Sequence, residues 1–555
     1  MSIFKKRAGK PLFAALLALP ALASAGQAAP GAGSILQQIR PSVPAEPSST
    51  GTGLTIEHEE REKLPPSAPF LVKSIRITGN TEFDATTLHN LVADGEGKNL
   101  TLVQLDTIAA KITDYYHAHG YPLARAIIPA QTIHDGEVTF EVIEARYGKV
   151  RLENSSRVKD ELLHSTLSSL SSGKVIEQQP MDHALLLLSD IPGVVVDATL
   201  LPGEQVGTSD LLVQAEPGPA ATGNVTLDDY GNQYTGRIRA GGTVSFDNLM
   251  HHGDVLSLNG LSTGSGMNYG RISYESVLNG HGTSAGASYS TLHYILGDSL
   301  ANLNGHGTAE VGSLWGKHPF IRSRKFNLYG QIQYDRLKLQ DHIDSASIRT
   351  DRHLDDWTAT LSGDYRHLEN INTWSFAATS GRVSFDDATA GLADAATAKT
   401  SGSFAKWTAN FARLQGLGEK YVAYLALSGQ WSGQNLDPSQ QMVAGGPYTV
   451  RAYDMGALSG DEGVLGTLEL RRDFGNYHGK WQGIVFYDTE HVTVNTNPWV
   501  AGANSATLSG AGFGVNWEGM KGWSMKTYLA FRSNATQLVP AAPSSRFWVQ
   551  FGKGF

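Results

Sequence analysis

The sequence predicts a transmembrane β-barrel of about 16 antiparallel strands, preceded by two small α+β modules and a short N-terminal helix. Three observations lead there. From about Ala220 to Phe555 the chain alternates apolar and polar residues in runs of about ten, parted by Gly, Asn, Asp and Ser. Charged residues are 17% of the 555-residue chain, against roughly 25% in soluble domains, and its 61 glycines are about 11%, against a usual ~7%. After residue 25 no stretch holds 18 uninterrupted apolar residues, so any crossing of a membrane falls to strands.

Residues 1–25 read as a signal peptide. Lys5, Lys6, Arg7 and Lys10 form a basic head, Pro11 to Leu22 is an apolar run too short to span a bilayer, and Ala23-Ser24-Ala25 offers small residues for cleavage. Residues 26–40 hold Ser34 to Ile39, two amphipathic turns with Ile35, Leu36 and Ile39 as apolar positions and Pro41 as the stop. A helix this short is marginal in water and must dock or melt. From 41 to 69, prolines mixed with Ser, Gly, Thr and Glu make a flexible linker whose roughly 29 residues reach ~95 Å when extended.

Order resumes at Phe70. Residues 70–145 read β-α-α-β-β: a strand from Phe70 to Thr78 ending in the turn dipeptide Gly79-Asn80, helices over Ala85 to Val92 and Leu102 to His117, and strands over Leu123 to Ile128 and Val138 to Ala145. In the longer helix Leu102, Leu105, Ile108, Ala109, Ile112 and Tyr115/Tyr116 recur at intervals of three and four. The order repeats over 146–218, with a strand at Lys149 to Leu152, helices at Val158 to Leu170 and Pro180 to Leu188, and strands at Val194 to Leu201 and Asp210 to Glu216. With Gly79-Asn80 after the first strand and Gly120-Tyr121-Pro122 before the second, the modules resemble POTRA domains, the periplasmic polypeptide-docking units of outer-membrane assembly proteins.

The barrel is expected over 219–555. Phe326, Leu328, Gly330, Ile332 and Tyr334 alternate with Asn327, Tyr329, Gln331 and Gln333, and Leu468 and Leu470 with Thr467, Glu469 and Arg471, so one face suits hydrocarbon and the other water. Trp315, Trp357, Trp374, Trp431, Trp481 and Trp517 near strand ends suit interfacial girdles. The last strand, Arg546 to Phe555, ends in an aromatic residue, as bacterial outer-membrane barrels typically do.

Composition removes most other chemistries. The absence of cysteine excludes disulfides, thiolate zinc sites and a cysteine nucleophile, and a net charge of -9 argues against a nucleic-acid partner. Gly282-Thr283-Ser284-Ala285-Gly286 spells a nucleophile elbow, but no helix follows to expose the serine. His251-His252 has no second ligand pair at metal spacing. No catalytic residue, metal or cofactor is expected, and the chain is read as a conduit rather than an enzyme.

The sharpest motif is Gly445-Gly446-Pro447-Tyr448-Thr449-Val450-Arg451-Ala452-Tyr453, in a long segment between two strands. Its Val450, Arg451, Ala452 and Tyr453 resemble the VRGY/F motif on the sixth extracellular loop of two-partner secretion transporters, a loop that folds into the barrel lumen. Ala452 stands where the motif has glycine. The same family carries F-x-D-x-G on the strand after next, matched by Phe486-Tyr487-Asp488-Thr489 with Glu490 in the glycine position. The resemblance implies that Asp488 points inward and pairs with Arg451, with Glu490 on the same face sharing it. A guanidinium folded into a narrow lumen needs such a bidentate carboxylate. Asp228-Asp229-Tyr230-Gly231-Asn232 is expected at the opening of the first barrel strand, and Gly510-Ala511-Gly512-Phe513-Gly514 resembles a late-strand signature.

End to end, the chain resembles a two-partner secretion transporter of the haemolysin-activator and filamentous-haemagglutinin-transporter type. The resemblance implies a pore in the bacterial outer membrane with its modules in the periplasm, exporting a large β-rich partner exoprotein such as an adhesin, a haemolysin or a contact-dependent toxin. The helix carrying Ile35, Leu36 and Ile39 would plug the lumen at rest. The partner would dock on the first module by strand addition at Leu123, Ala124, Arg125, Ala126, Ile127 and Ile128, in a groove lined by Leu102, Leu105, Ile108, Ile112 and Tyr116. Outer-membrane lipids, periplasmic chaperones and the barrel-assembly machinery are the other expected partners of a monomer. The rival within the superfamily is an insertase that builds other barrels, and it would carry more modules and lack the plug and linker.

Overall fold

The computed structural model describes residues 29–39, 47–51, 53–56, 66–534, 536–539 and 543–555. The expected signal peptide, 1–25, lies outside the described residues. Sixteen antiparallel strands form a closed barrel from Ala221–Asp228 to Ser545–Gly554, each pairing with its sequence neighbours and the last with the first. Among the described residues no helix is long and apolar enough to cross a membrane.

The barrel wall follows the period-two pattern. Leu258, Ile272, Leu314, Ile332, Phe376, Leu468, Val485 and Phe513 are exposed on the outer face, while Asn327, Asp364, Glu469 and Asp488 are buried on the inner one. Trp357, Trp431 and the paired Trp481 and Trp517 stand on the outer wall, the pair with ring centroids 5.9 Å apart. Trp315 departs from the girdle expectation. Its neighbour Leu314 takes the outward position, so the indole points into the lumen and donates to Glu275 at 3.0 Å. Strands of 8 to 11 residues on one side and up to 20 on the other make the wall uneven in height. Asp228–Asn232 sits at the end of the first barrel strand and in the turn beyond it, not at its opening.

Two α+β modules sit at one mouth. The first has the sheet order Ser74–Thr78, Glu137–Ile143, Arg125–Ile127, covered by helices Ala85–Val92 and Leu102–Ala118. Gly79 at φ +81 allows the turn after its first strand, since a Cβ there would fall on the Val142 carbonyl. Thr101 and Gln104 close a capping box at the start of the long helix. The second module places Val194–Pro202 and Thr208–Pro217 beside Arg146–Asn154, with helices Asp160–Leu167 and Gln178–Ser189. It touches the barrel turns: Asp190 accepts from Arg322 Nε and Nη2 at 2.6 and 2.8 Å, Arg324 donates to Asp182 at 2.7 Å, and the His251 carbonyl accepts from Lys159 N–H at 3.1 Å.

The linker is not structureless throughout. Leu54–Ile56 forms a strand parallel to Val194–Pro202, and Ser48 is held inside the barrel. Three residues are too few to show a period, and the strand exists because an unpaired sheet edge lies beside it.

Candidate functional site

The lumen is occupied by two pieces of the chain itself. The first is the helix Ala32–Ile39, one turn-fraction longer than the expected Ser34 start. Ile35 and Leu36 are buried and Ile39 partly so, in an apolar patch made by Met267, Tyr269, Leu292, Leu337, Leu339 and Phe404 on the inner wall. Asp341 receives the helix N-terminus: its Oδ1 accepts from Ala32 N–H at 2.6 Å and from Tyr294 Oη at 2.6 Å, while Arg352 holds its Oδ2 at 2.8 Å. A carboxylate at this end of a helix meets both the free N–H groups and the positive end of the dipole. Gly33 lies against the Ser439 backbone, where a Cβ would come within 2.7 Å of the amide nitrogen.

The second piece is the loop between the eleventh and twelfth barrel strands, Tyr421–Ser432 and Glu462–Asn476. A small hairpin, Met442–Ala444 with Leu458–Gly460, closes its base, and the tip turns inward. There Arg451, 4% exposed, donates Nε and Nη2 to the two oxygens of Asp488 at 2.8 and 2.7 Å, and its backbone N–H reaches the same carboxylate at 3.1 Å. The guanidinium lies 3.5 Å from the Phe486 ring centroid. Val450 and Ala452 are fully buried, and the Tyr453 hydroxyl donates to the Asn534 carbonyl at 2.8 Å. Ala452 needs no left-handed backbone. Its Cβ fits because the facing residue is Gly510, where a Cβ would fall on it.

Glu490 does not share the arginine. The second carboxylate on Arg451 is Glu469, 2.7 Å from Nη1, and Glu490 is fully buried with neither oxygen bonded among the described residues. Two residues along a strand amount to ~6.8 Å, beyond the fork of a guanidinium already seated on Asp488. Glu469 stood on the polar face of an alternating strand, but nothing in the sequence tied that strand to the loop.

Helix and loop touch each other. Asn232 Nδ2 donates to Gln38 Oε1 at 3.1 Å and to the Met455 carbonyl at 3.0 Å, and Gln37 donates to the Ser439 carbonyl. Lower in the barrel, towards the modules, Ser48 N–H donates to Asp364 Oδ1 at 3.0 Å, and its carbonyl accepts from Arg366 at 2.5 Å. A cavity of about 600 Å³ lined by Ser48, Asp190, Glu275, Trp315, Tyr329 and Asp364 remains at that mouth.

In the first module Arg125–Ile127 is an edge strand, paired among the described residues only with Glu137–Ile143. Part of that edge is closed: Ala126 N–H donates to Thr113 Oγ1 at 3.0 Å, and the Ala124 carbonyl lies 3.0 Å from His117 Nε2. Leu105, Ile112 and Tyr116 do not line a groove. All three are wholly buried in the module's core, because an amphipathic helix spends its apolar stripe on its own sheet first. Leu102 and Ile108 are half-buried, Arg125 is exposed, and Ala124 and Ala126 are buried. A cleft of about 540 Å³ lies between the modules, lined by Thr113, His117, Leu123 and Arg125 on one side and Leu200 and Val206 on the other. Leu123 packs against the second module's core, and Ile127 and Ile128 are half-buried.

A closed sixteen-strand barrel with an apolar outer wall, a lumen filled by its own chain and two α+β modules at one mouth defines an outer-membrane polypeptide transporter. The profile of the haemolysin secretion/activation proteins ShlB/FhaC/HecB matches residues 207–517, more than half the chain, and the chain belongs to that family. A ShlB-type POTRA domain matches residues 70–145. The heme/hemopexin transporter protein HuxB of Haemophilus influenzae is 26% identical over 407 residues, covering 73% of this chain and 72% of its own. The outer membrane transporter CdiB of Escherichia coli is 23% identical over 413 residues, 71% of this chain and 67% of its own. The solved structure of CdiB from Escherichia coli superposes with a TM-score of 0.70 at 19% identity, covering 92% of this chain and 94% of that one. BamA from Haemophilus ducreyi, lacking POTRA domains 1–3, shares the fold with a TM-score of 0.53 at 14% identity, over 88% of this chain and all of that one. The chain is thus an outer-membrane transporter of two-partner secretion, with its modules in the periplasm and a secreted exoprotein as its partner.

Proposed function

We propose that this transporter exports one large, unfolded, β-rich exoprotein (an adhesin, a haemolysin or a contact-dependent toxin) by capturing it at the modules and passing it through the lumen once the helix and tether have cleared. The transporter is a conduit and not an enzyme. The observation that carries the reading is the double occupancy of the lumen: an eight-residue helix and a folded-in loop, each seated on its own apolar patch of the inner wall and pinned there by polar contacts. Docking falls in the cleft between the modules, at its Leu123 and Arg125 wall and at the half-buried Ile127 and Ile128, because Thr113 and His117 close the adjoining edge. Val450, Arg451, Ala452 and Tyr453 on the loop, with Asp488 on the wall, keep the lumen shaped for passage, and Ile35, Leu36 and Ile39 keep it shut at rest. Directionality comes from folding of the partner outside, which removes it from the equilibrium. Outer-membrane lipids cover the apolar wall, periplasmic chaperones and the barrel-assembly machinery deliver the chain, and it works as a monomer.

Deleting residues 70–145 tests the docking step. Export of the partner is expected to cease while the barrel still inserts and keeps its heat-modifiable mobility on gels. Undiminished export by the deletion variant would remove the docking reading. An insertase instead predicts lost outer-membrane porins on deletion of the whole gene, measured by membrane proteomics.

A further inference from the structure

The tether strand holds a position that another strand fits. Leu54 lies opposite Ala198, Thr55 opposite Thr199 and Ile56 opposite Leu200, and Ala198 N–H donates to the Gly53 carbonyl at 3.0 Å. Gly53 has φ +59, and a Cβ there would fall on the Val196 carbonyl, so the approach depends on glycine. Leu54 and Ile56 pack against the second module's core, while Thr55 is exposed. The sheet runs tether strand, Val194–Pro202, Thr208–Pro217, Arg146–Asn154, which puts the tether on the outer edge. An open sheet edge is where an extended polypeptide adds by backbone hydrogen bonds.

The hold is short. Only three of the nine residues of Val194–Pro202 are paired on this side, and among the described residues no other strand pairs with the rest of that edge. Ile56 also forms part of the wall of the cleft between the modules. At its other end Val194–Pro202 starts against the barrel, where Asn248 donates to the Pro192 carbonyl. Six residues before Leu54, the tether is already inside the lumen at Ser48.

Resting on the docking reading above, we propose that Leu54–Ile56 is a resident strand that an extended segment of the exported chain, with alternating apolar residues, replaces on the edge of Val194–Pro202. A segment arriving in the cleft meets Ile56 first. It pairs with up to nine residues where the tether pairs with three, so the longer strand wins the exchange through more backbone hydrogen bonds. The new strand then points at the barrel mouth, and the tether it displaced is the same segment that occupies that mouth at Ser48. Capture of cargo and withdrawal of the tether are one event.

The chain contains no cysteine, so a single engineered pair reports on the strand alone. T55C/T199C joins two residues in register on the solvent side of the sheet. Full-length protein is reconstituted in planar bilayers, and the probe is a synthetic nine-residue peptide of alternating valine and threonine, added on the module side. The peptide is expected to slow disulfide formation at least tenfold and to raise the frequency of large-conductance openings. After the disulfide has closed, the same peptide is expected to change nothing until a reductant is added. L54D/I56D, altered only in the tether, is expected to open more often with no peptide present. An unchanged disulfide rate with peptide, an oxidised pore that opens as readily as the reduced one, or an L54D/I56D pore as quiet as the parent would overturn the exchange. None of these readouts uses export, so their failure alongside export that still needs residues 70–145 sinks the exchange and leaves the docking reading standing.

Discussion

Arg451 concentrates the energetics of the loop in one side chain. It is nearly inaccessible, it spans Asp488 with both arms of its fork, and its third nitrogen meets Glu469. Removing it leaves the buried Asp488 without a cation, while Glu469 keeps Arg471 at 2.7 Å, at a cost of about 3–5 kcal/mol. Arg451→Ala is therefore expected to free the loop tip: an external protease should cut within 445–456, and export should fall at least tenfold, with heat-modifiability retained. Arg451→Lys is expected to lie nearer to Ala than to the parent, since an ammonium cannot make the paired bonds or lie flat on the Phe486 ring. Equal export by parent, Lys and Ala variants would show that the pair is ornamental. The Arg451–Asp488 pair was legible because the resemblance of the loop and strand motifs implies it and alternation agrees in turning Asp488 inward, and the glycine-to-alanine departure at Ala452 is absorbed at Gly510, far away in the sequence but in contact in space. Glu469 and the idle Glu490 were not legible, since the sequence gives faces of strands but not the height at which a loop inserts.

Among the elements, the first module shows how a turn is held by one acid. Glu144 accepts from Thr81 N–H at 2.7 Å, Glu82 N–H at 2.8 Å and the Tyr116 hydroxyl at 2.8 Å, and also from the Thr81 hydroxyl. Burial pushes its carboxyl up, but these donors outweigh burial and hold it below its ordinary value of 4.5. A carboxyl depressed in the folded state adds stability above its unfolded pKa and loses it as pH falls through the folded value. The urea midpoint of the modules, followed by their helical circular dichroism, is thus expected to stay level above about pH 5 and to drop below the ordinary carboxyl range near ~4.3. Glu144→Gln should lower the neutral-pH plateau by roughly 1–3 kcal/mol and flatten the acid limb, and an acid limb as steep as the parent's would assign it to other groups. Helices and barrel strands were readable from periods of 3.6 and 2, which need only local sequence. The tether strand was not, because Leu54–Ile56 owes its conformation to a neighbouring edge, and the docking face was misplaced because Leu105, Ile112 and Tyr116 satisfy the core pattern before any surface one.

Across the whole molecule a single polar chain joins the second module to the tether inside the barrel. Asp190 grips Arg322 through both oxygens, Arg322 Nη1 donates to Asn327 Oδ1 at 3.1 Å, Asn327 Nδ2 donates to Asp364 Oδ2 at 3.0 Å, and Asp364 Oδ1 accepts from Ser48 N–H at 3.0 Å. Arg322 is 1% exposed, so it cannot recover water if its carboxylate is removed. Asp190→Ala is expected to cost about 2–3 kcal/mol at this seam, since it strands a buried guanidinium although Asp190 itself is 37% exposed. The wall pairs of the barrel are untouched, so the loss should appear as motion: wider distance distributions between spin labels on the second module and the barrel turns, and faster amide exchange at 47–51. Arg324→Ala removes a half-exposed partner of Asp182 and is expected to cost no more than about 1 kcal/mol, giving distributions close to the parent's. The contrast decides whether the module is fixed by the one pair on the buried Arg322 or by its whole contact area. If Asp190→Ala and Arg324→Ala broaden the distances equally, or neither does, then the apolar contact around Ile191 and Val277 holds the module, and a signal from docked cargo has no polar route to Ser48.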